Sequence, residues 1–87
     1  MTLYLAEGSS TKRLDGKYLR QALNKVFDQL GKRTRVLAIP PDFTRIHSRA
    51  GELTCITDDY FGPNLVDILP ALGTHAPMSK DQISVMY

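Results

Sequence analysis

A single cysteine, Cys55, and no tryptophan stand in this chain of 87 residues. One cysteine excludes an internal disulfide, so a reducing compartment is the natural setting. Charge of one sign is also scarce, at a formal net charge of +2. A nucleic-acid surface clusters many Lys and Arg with aromatics between them. Here the basic residues are spread out, apart from Lys12 and Arg13 and the run Lys32, Arg33, Arg35. Both groups read as solvated chain at the ends of elements. No apolar run approaches the roughly 20 residues that span a bilayer, and the first seven residues lack the basic-then-apolar pattern of a signal peptide. The expectation is a cytoplasmic protein with neither a nucleic-acid nor a membrane partner.

What is present is an ordinary apolar share, 43%, which argues for a globular chain over a disordered one. Its length suits one small domain with one core.

The alternating residues Thr2 to Ala6 predict a short edge strand, followed by a loop over Glu7 to Thr11. Asp15 and Gly16 then open a helix. Leu19, Leu23, Val26 and Leu30, widened by Ala22 and Phe27, recur at the period of a helix burying one face. Asp15 suits the N-cap, and Gly31 the left-handed position past the end. Arg35 to Ile39 is a short apolar run, the pattern of a strand covered on both faces, and Pro40-Pro41 stops it.

Asp42 to Arg49 reads as a polar loop. A second helix is predicted from about Ala50 to Tyr60, with Leu53, Ile56 and Tyr60 on one face. Gly62-Pro63-Asn64 is turn chemistry. Leu65 to Leu72 reads as a second buried strand despite Asp67 and Pro70. Ser79, Lys80, Asp81 and Gln82 form a capping box that announces a third helix. That helix has barely begun at Tyr87, so residues 1–87 read as the first part of a longer α/β domain. Strands alternating with helices predict a small, mainly parallel sheet flanked by helices, a truncated Rossmann-like arrangement. Ligands in such sheets bind beyond the carboxyl ends of the strands. The loops Asp42–Arg49 and Gly73–Pro77 both lie there.

Those two loops hold the candidate chemistry. Asp42 and Arg45 are spaced so that one turn can bring them to the same space. Arginine offers a planar fork matched to a carboxylate or phosphate. Asp42 can orient that fork or hold a histidine. The competing reading is a local Asp42–Arg45 ion pair, with Thr44 capping the next helix. In Gly73-Thr74-His75 the glycine permits a sharp turn and a close ligand. His75 is then the candidate general acid–base, against the plainer reading of a histidine bonded to a nearby carbonyl. His47 and Arg49 read as solvated loop residues, and Cys55 as a small buried hydrophobe. No metal-ligand spacing, phosphate loop or nucleophile elbow is present.

The stretch from Val36 to Arg45, with its Asp42-Phe43-Thr44-Arg45, resembles the strand and D-x-T-R loop of the nickel-pincer-nucleotide-dependent lactate racemases. Leu69 to Ser79, with Gly73-Thr74-His75, is similar to that family's second signature. The resemblance runs from about Leu14 to the end of the chain and implies the N-terminal part of the family's N-terminal catalytic domain. It also implies an isomerase that racemises or epimerises an α-hydroxy acid by proton-coupled hydride transfer to a nickel pincer nucleotide. By the same resemblance His75 is one of two acid–base histidines. Arg45, with Asp42 and Thr44 beside it, engages the substrate, and Gly73 and Thr74 border the cofactor. Where better-known racemases carry proline soon after the arginine, this chain has Ile46-His47-Ser48-Arg49, and Ala76 follows His75 where a basic residue is common. Both departures point to a hydroxy acid or sugar acid other than lactate. The second histidine, the cofactor-tethering lysine and the nickel-binding histidine are expected beyond residue 87. These residues alone are therefore expected to be inactive and to hold no cofactor. The alternatives are a non-catalytic α/β module that binds an anionic ligand, and a small domain that seeks a protein partner. In each case exposed apolar surface predicts self-association.

Overall fold

A computed structural model describes residues 3–73 and 75–87. Where length suggested a single core, the chain divides into two compact units, Met1–Lys32 and Arg33–Tyr87.

The first unit is organised by helix α1, Gly16–Leu30. Its start is the predicted one: the Asp15 carboxylate accepts the Tyr18 amide at 2.8 Å. Its end is marked by Gly31, whose φ of 81° lies where side chains are disfavoured. The stripe Leu19, Ala22, Leu23, Val26, Phe27 and Leu30 is half-buried throughout. The predicted edge strand does not form: residues 3–6 are exposed and carry no strand, and Thr2 lies outside the described residues. Alternation supplies a face but no partner strand, and an unpaired strand leaves its backbone to water. The segment is tied down by side chains instead. The Lys12 ammonium meets Glu7 at 2.6 Å and stands 4.6 Å from the Tyr18 ring centroid.

The second unit is a β–α–β arrangement with a further helix. Strand β1 is Val36–Ala38, helix α2 is Ala50–Phe61, strand β2 is Leu65–Ile68 and helix α3 is Lys80–Met86. The two strands form a small parallel sheet with helices beside it. Val36 pairs with Leu65, Leu37 with Asp67 and Ala38 with Ile68, so Val66 is an extra residue bulging from β2.

Pairing continues past the strands on one side only. Leu69 N–H donates to the Ala38 carbonyl at 2.9 Å, and Ala71 N–H to the Pro40 carbonyl at 2.8 Å. Proline lacks a donor but keeps its acceptor, so the regular ladder stops while the two chains stay abreast. The predicted strand Leu65–Leu72 is therefore shortened to its first half. Nor is the sheet covered on both faces, as its apolar runs suggested: Leu37 is 49%, Ile39 62% and Val66 54% exposed.

The core of this unit gathers around α2, where Gly51, Thr54, Ile56 and Phe61 are buried, with Met86 of α3. Ile56 takes its expected place. Tyr60, expected on the same face, is exposed and meets Phe61 edge-on at 5.0 Å between ring centroids. Cys55 is exposed, which corrects its reading as a buried hydrophobe. Ser79 and Gln82 form the predicted capping box. The Ser79 amide donates to the Gln82 side chain at 3.0 Å, and the Gln82 amide to the Ser79 hydroxyl at 3.2 Å. Among the described residues no helix is long and apolar enough to cross a membrane.

Candidate functional site

Asp42 to Arg49 is not an open loop. Residues Phe43–Ser48 wind into a 3₁₀ helix with Asp42 as N-cap. The sequence explains the start: Pro40-Pro41 ends the strand, and the next side chain is a short acceptor able to cap a turn. One carboxylate oxygen of Asp42 accepts the Thr44 amide at 3.1 Å and the Thr44 hydroxyl at 2.5 Å. The Arg45 amide donates to the Asp42 carbonyl at 3.0 Å. Arg45 leaves helical geometry at φ −113°, ψ 28°, and Arg49, at φ 67°, turns the chain into α2.

The second carboxylate oxygen of Asp42 has a distant partner. Asp42 Oδ2 and His75 Nδ1 stand 2.6 Å apart across 33 positions of sequence. The strand register explains the meeting. The donors at 69 and 71 step along the acceptors at 38 and 40, so the two segments run abreast as far as Ala71 and Pro40, just short of the Gly73 turn and Asp42. Gly73 then takes a φ of 57°, and His75 N–H closes the turn on the Leu72 carbonyl at 2.9 Å. A positive φ at this position is the conformation glycine supplies without strain. Thr74 lies outside the described residues.

Burial within the pair is unequal. Asp42 is 5% exposed, whereas the His75 side chain is 49% exposed. The Asp42 carboxyl is held below its ordinary pKa. The Thr44 hydroxyl bond is the main cause, with smaller contributions from His75 and the Thr44 amide outweighing the opposing effect of burial. Asp42 is thus an anion at neutral pH. An anionic Asp42 accepts from a protonated Nδ1, which leaves Nε2 as the ring nitrogen not engaged with Asp42.

Of the sequence candidates, Asp42, Thr44 and His75 come together. Thr44 is committed to the carboxylate. Arg45 sits on the same turn with an exposed side chain, and no Asp42–Arg45 ion pair forms among the described residues. His47 is exposed, as expected. Arg49 meets Glu52, with Nε and Nη2 each 2.9 Å from the carboxylate. Sequence reasoning missed Tyr87, whose hydroxyl donates to the Pro41 carbonyl at 3.3 Å. A contact spanning 46 positions leaves no local signature. Among the described residues, no group of three or more His, Cys, Asp or Glu could hold a metal ion. Comparison with protein families, with curated proteins and with solved structures finds no match to this chain.

Proposed function

We propose that this chain carries acid–base and substrate-holding groups of a 2-hydroxy acid racemase or epimerase, within the first part of a Rossmann-like catalytic domain. The observation that carries the reading is the bond between the buried Asp42 carboxylate and Nδ1 of the half-exposed His75. With Nδ1 protonated and held, Nε2 of the neutral ring has a lone pair for a hydroxyl proton. The imidazolium formed by that transfer has its charge beside a carboxylate that stays ionised, as in other Asp–His pairs that orient and stabilise the ring. Return of the proton from Nε2 restores the neutral base. Asp42 positions the histidine, and Thr44 holds Asp42.

Arg45 supplies the second half of the reading. Its exposed side chain on the Asp42 turn offers a cationic fork for the carboxylate of a small hydroxy acid. Gly73 leaves open space where a side chain would stand, which suits close approach of a cofactor to the backbone at Gly73. The nickel pincer nucleotide implied by the resemblance would take up the hydride from the α-carbon. The described residues supply no donor set for its metal, so the part assigned to them is confined to the proton and the carboxylate.

The test is racemisation of 2-hydroxy acids by cofactor-loaded protein that contains this chain. His75→Ala should abolish turnover, and Arg45→Ala should depress it severely while weakening substrate binding. Retained racemisation in His75→Ala would remove the acid–base assignment, and near-normal kinetics in Arg45→Ala would remove the carboxylate clamp.

A further inference from the structure

We propose that Tyr87 is a positioning residue for the Asp42–His75 pair, acting through the bond from its hydroxyl to the Pro41 carbonyl. The inference rests on the acid–base reading above and deepens it. The two prolines before Asp42 have no N–H, so that backbone is anchored only through its carbonyls. Each carbonyl has a donor, and the donors come from opposite sides of His75. Pro40 accepts from Ala71 N–H at 2.8 Å, ahead of the histidine. Pro41 accepts from the Tyr87 hydroxyl at 3.3 Å, beyond it. The histidine segment is thereby fixed to the aspartate segment on both sides of the 2.6 Å bond it makes with Asp42.

The hydroxyl is placed by packed backbone. Tyr87 N–H continues α3 by bonding to the Ile83 carbonyl at 3.0 Å. Met86, its neighbour, is buried, and Gly51 of α2 lies so close that a side chain there would strike the Met86 carbonyl. The end of α3 is thus seated on the start of α2, against the 3₁₀ turn that Asp42 caps. Burial above all, then the charges of Cys55 and Asp42, push the Tyr87 phenol above its ordinary pKa, so it stays a donor through the neutral range. The bond is long for a hydroxyl donor, so its loss should cost the protein little stability. Any effect should fall on the Pro41–Asp42 backbone it tethers.

The experiment is ¹⁵N NMR of histidine-labelled chain at a pH above about 8, where an ordinary imidazole is neutral. His47, exposed on the Asp42 turn, is the internal reference. In the unaltered chain the His75 Nδ1 signal should be that of a protonated nitrogen. Tyr87→Phe, which keeps the ring and removes one oxygen, should shift that signal toward the His47 position. Phe61→Leu, a core change at the opposite end of α2 from Gly51, should lower stability and leave the signal in place. An unmoved signal in Tyr87→Phe, beside a shifted one in Asp42→Asn, would overturn the role of Tyr87 and leave the Asp–His pair intact. No shift in either variant would overturn the pair itself. An equal shift in Phe61→Leu would reduce Tyr87 to general packing and so also overturn the proposal. If Tyr87→Phe does not fold, the unaltered chain decides. The His75 signal should move in step with ionisation of the Tyr87 phenol, and a signal fixed through that titration counts against the proposal.

Discussion

A side-chain carbon placed on Gly51 would stand 3.1 Å from the carbonyl carbon of Met86 and closer still to its oxygen. This approach of α2 to α3 is what only glycine permits, and it seats the helix that ends beside Tyr87. Alanine is ordinarily the better helix residue by about 1 kcal/mol. Here the obstacle is backbone, which cannot swing aside as a side chain can. Gly51→Ala should therefore destabilise the protein by roughly 1–3 kcal/mol, the range for overpacking a filled core. Urea unfolding followed by circular dichroism reads this directly. A midpoint equal to or above that of the unaltered chain would mean that the helices are not seated this way.

The Asp42 carboxyl predicts an acid limb of stability. Its folded pKa lies below the ordinary value of 3.8, chiefly through the Thr44 hydroxyl. Lowering the pKa of an acid on folding adds stability above the unfolded pKa, and this is lost as pH falls through the folded one. The contribution should hold at neutral pH and start to fade as pH approaches 3.8 from above. Thr44→Val keeps the shape and removes the hydroxyl, so the Asp42 titration should move up toward its ordinary position. Carboxyl carbon NMR across the acid range measures both. An Asp42 that titrates identically in the two proteins would show that Thr44 does not hold it.

Elements whose signals are local were legible in the sequence. Asp15 and Gly31 bound α1, Pro40-Pro41 stops β1, and Ser79 with Gln82 starts α3, because caps and proline act within a turn of chain. Asp42 and His75 were each legible as candidates, and a histidine was one of two partners open to Asp42, but which partner it takes was not legible. Asp42 had been weighed against Arg45, three residues away, and found His75 only because the proline carbonyls keep two segments abreast beyond the sheet. The apolar runs around Leu37 and Leu69 show what a strand would bury, without showing whether anything lies over them. That is why a face read as covered stands open at Leu37 and Leu69.

The open face of the sheet predicts self-association. Leu37 of β1 and Ile39, just past its end, are both exposed, as are Val66 and Leu69 of the neighbouring segment. Pairing continues past β1 to the Pro40 carbonyl, and alternate residues of extended chain share a face, so Leu37 and Ile39 present apolar surface together. Sedimentation velocity should show a weight-average mass that rises with protein concentration. The double change Leu37→Glu with Ile39→Glu should hold the chain monomeric, because each carboxylate would lose water on association. A single monomeric boundary for the unaltered chain at all concentrations would remove the idea.

The capping box tests how far the site depends on α3. The first turns of a helix, Lys80–Met86 here, gain little from their own backbone bonds in water. Packing at Met86 and the reciprocal bonds of Ser79 and Gln82 must hold it. Ser79→Ala leaves the Gln82 amide without its acceptor and should cost about 1 kcal/mol, the usual loss for an N-cap. The sharper consequence is local. Fraying at the start of α3 loosens the segment after His75, so amide hydrogen exchange should quicken at Gln82 and Ile83 before it does in α2. Were exchange to quicken equally in both helices, the cap would be holding the whole unit together, and α3 would not be a separately fraying clamp beside the Asp42–His75 pair.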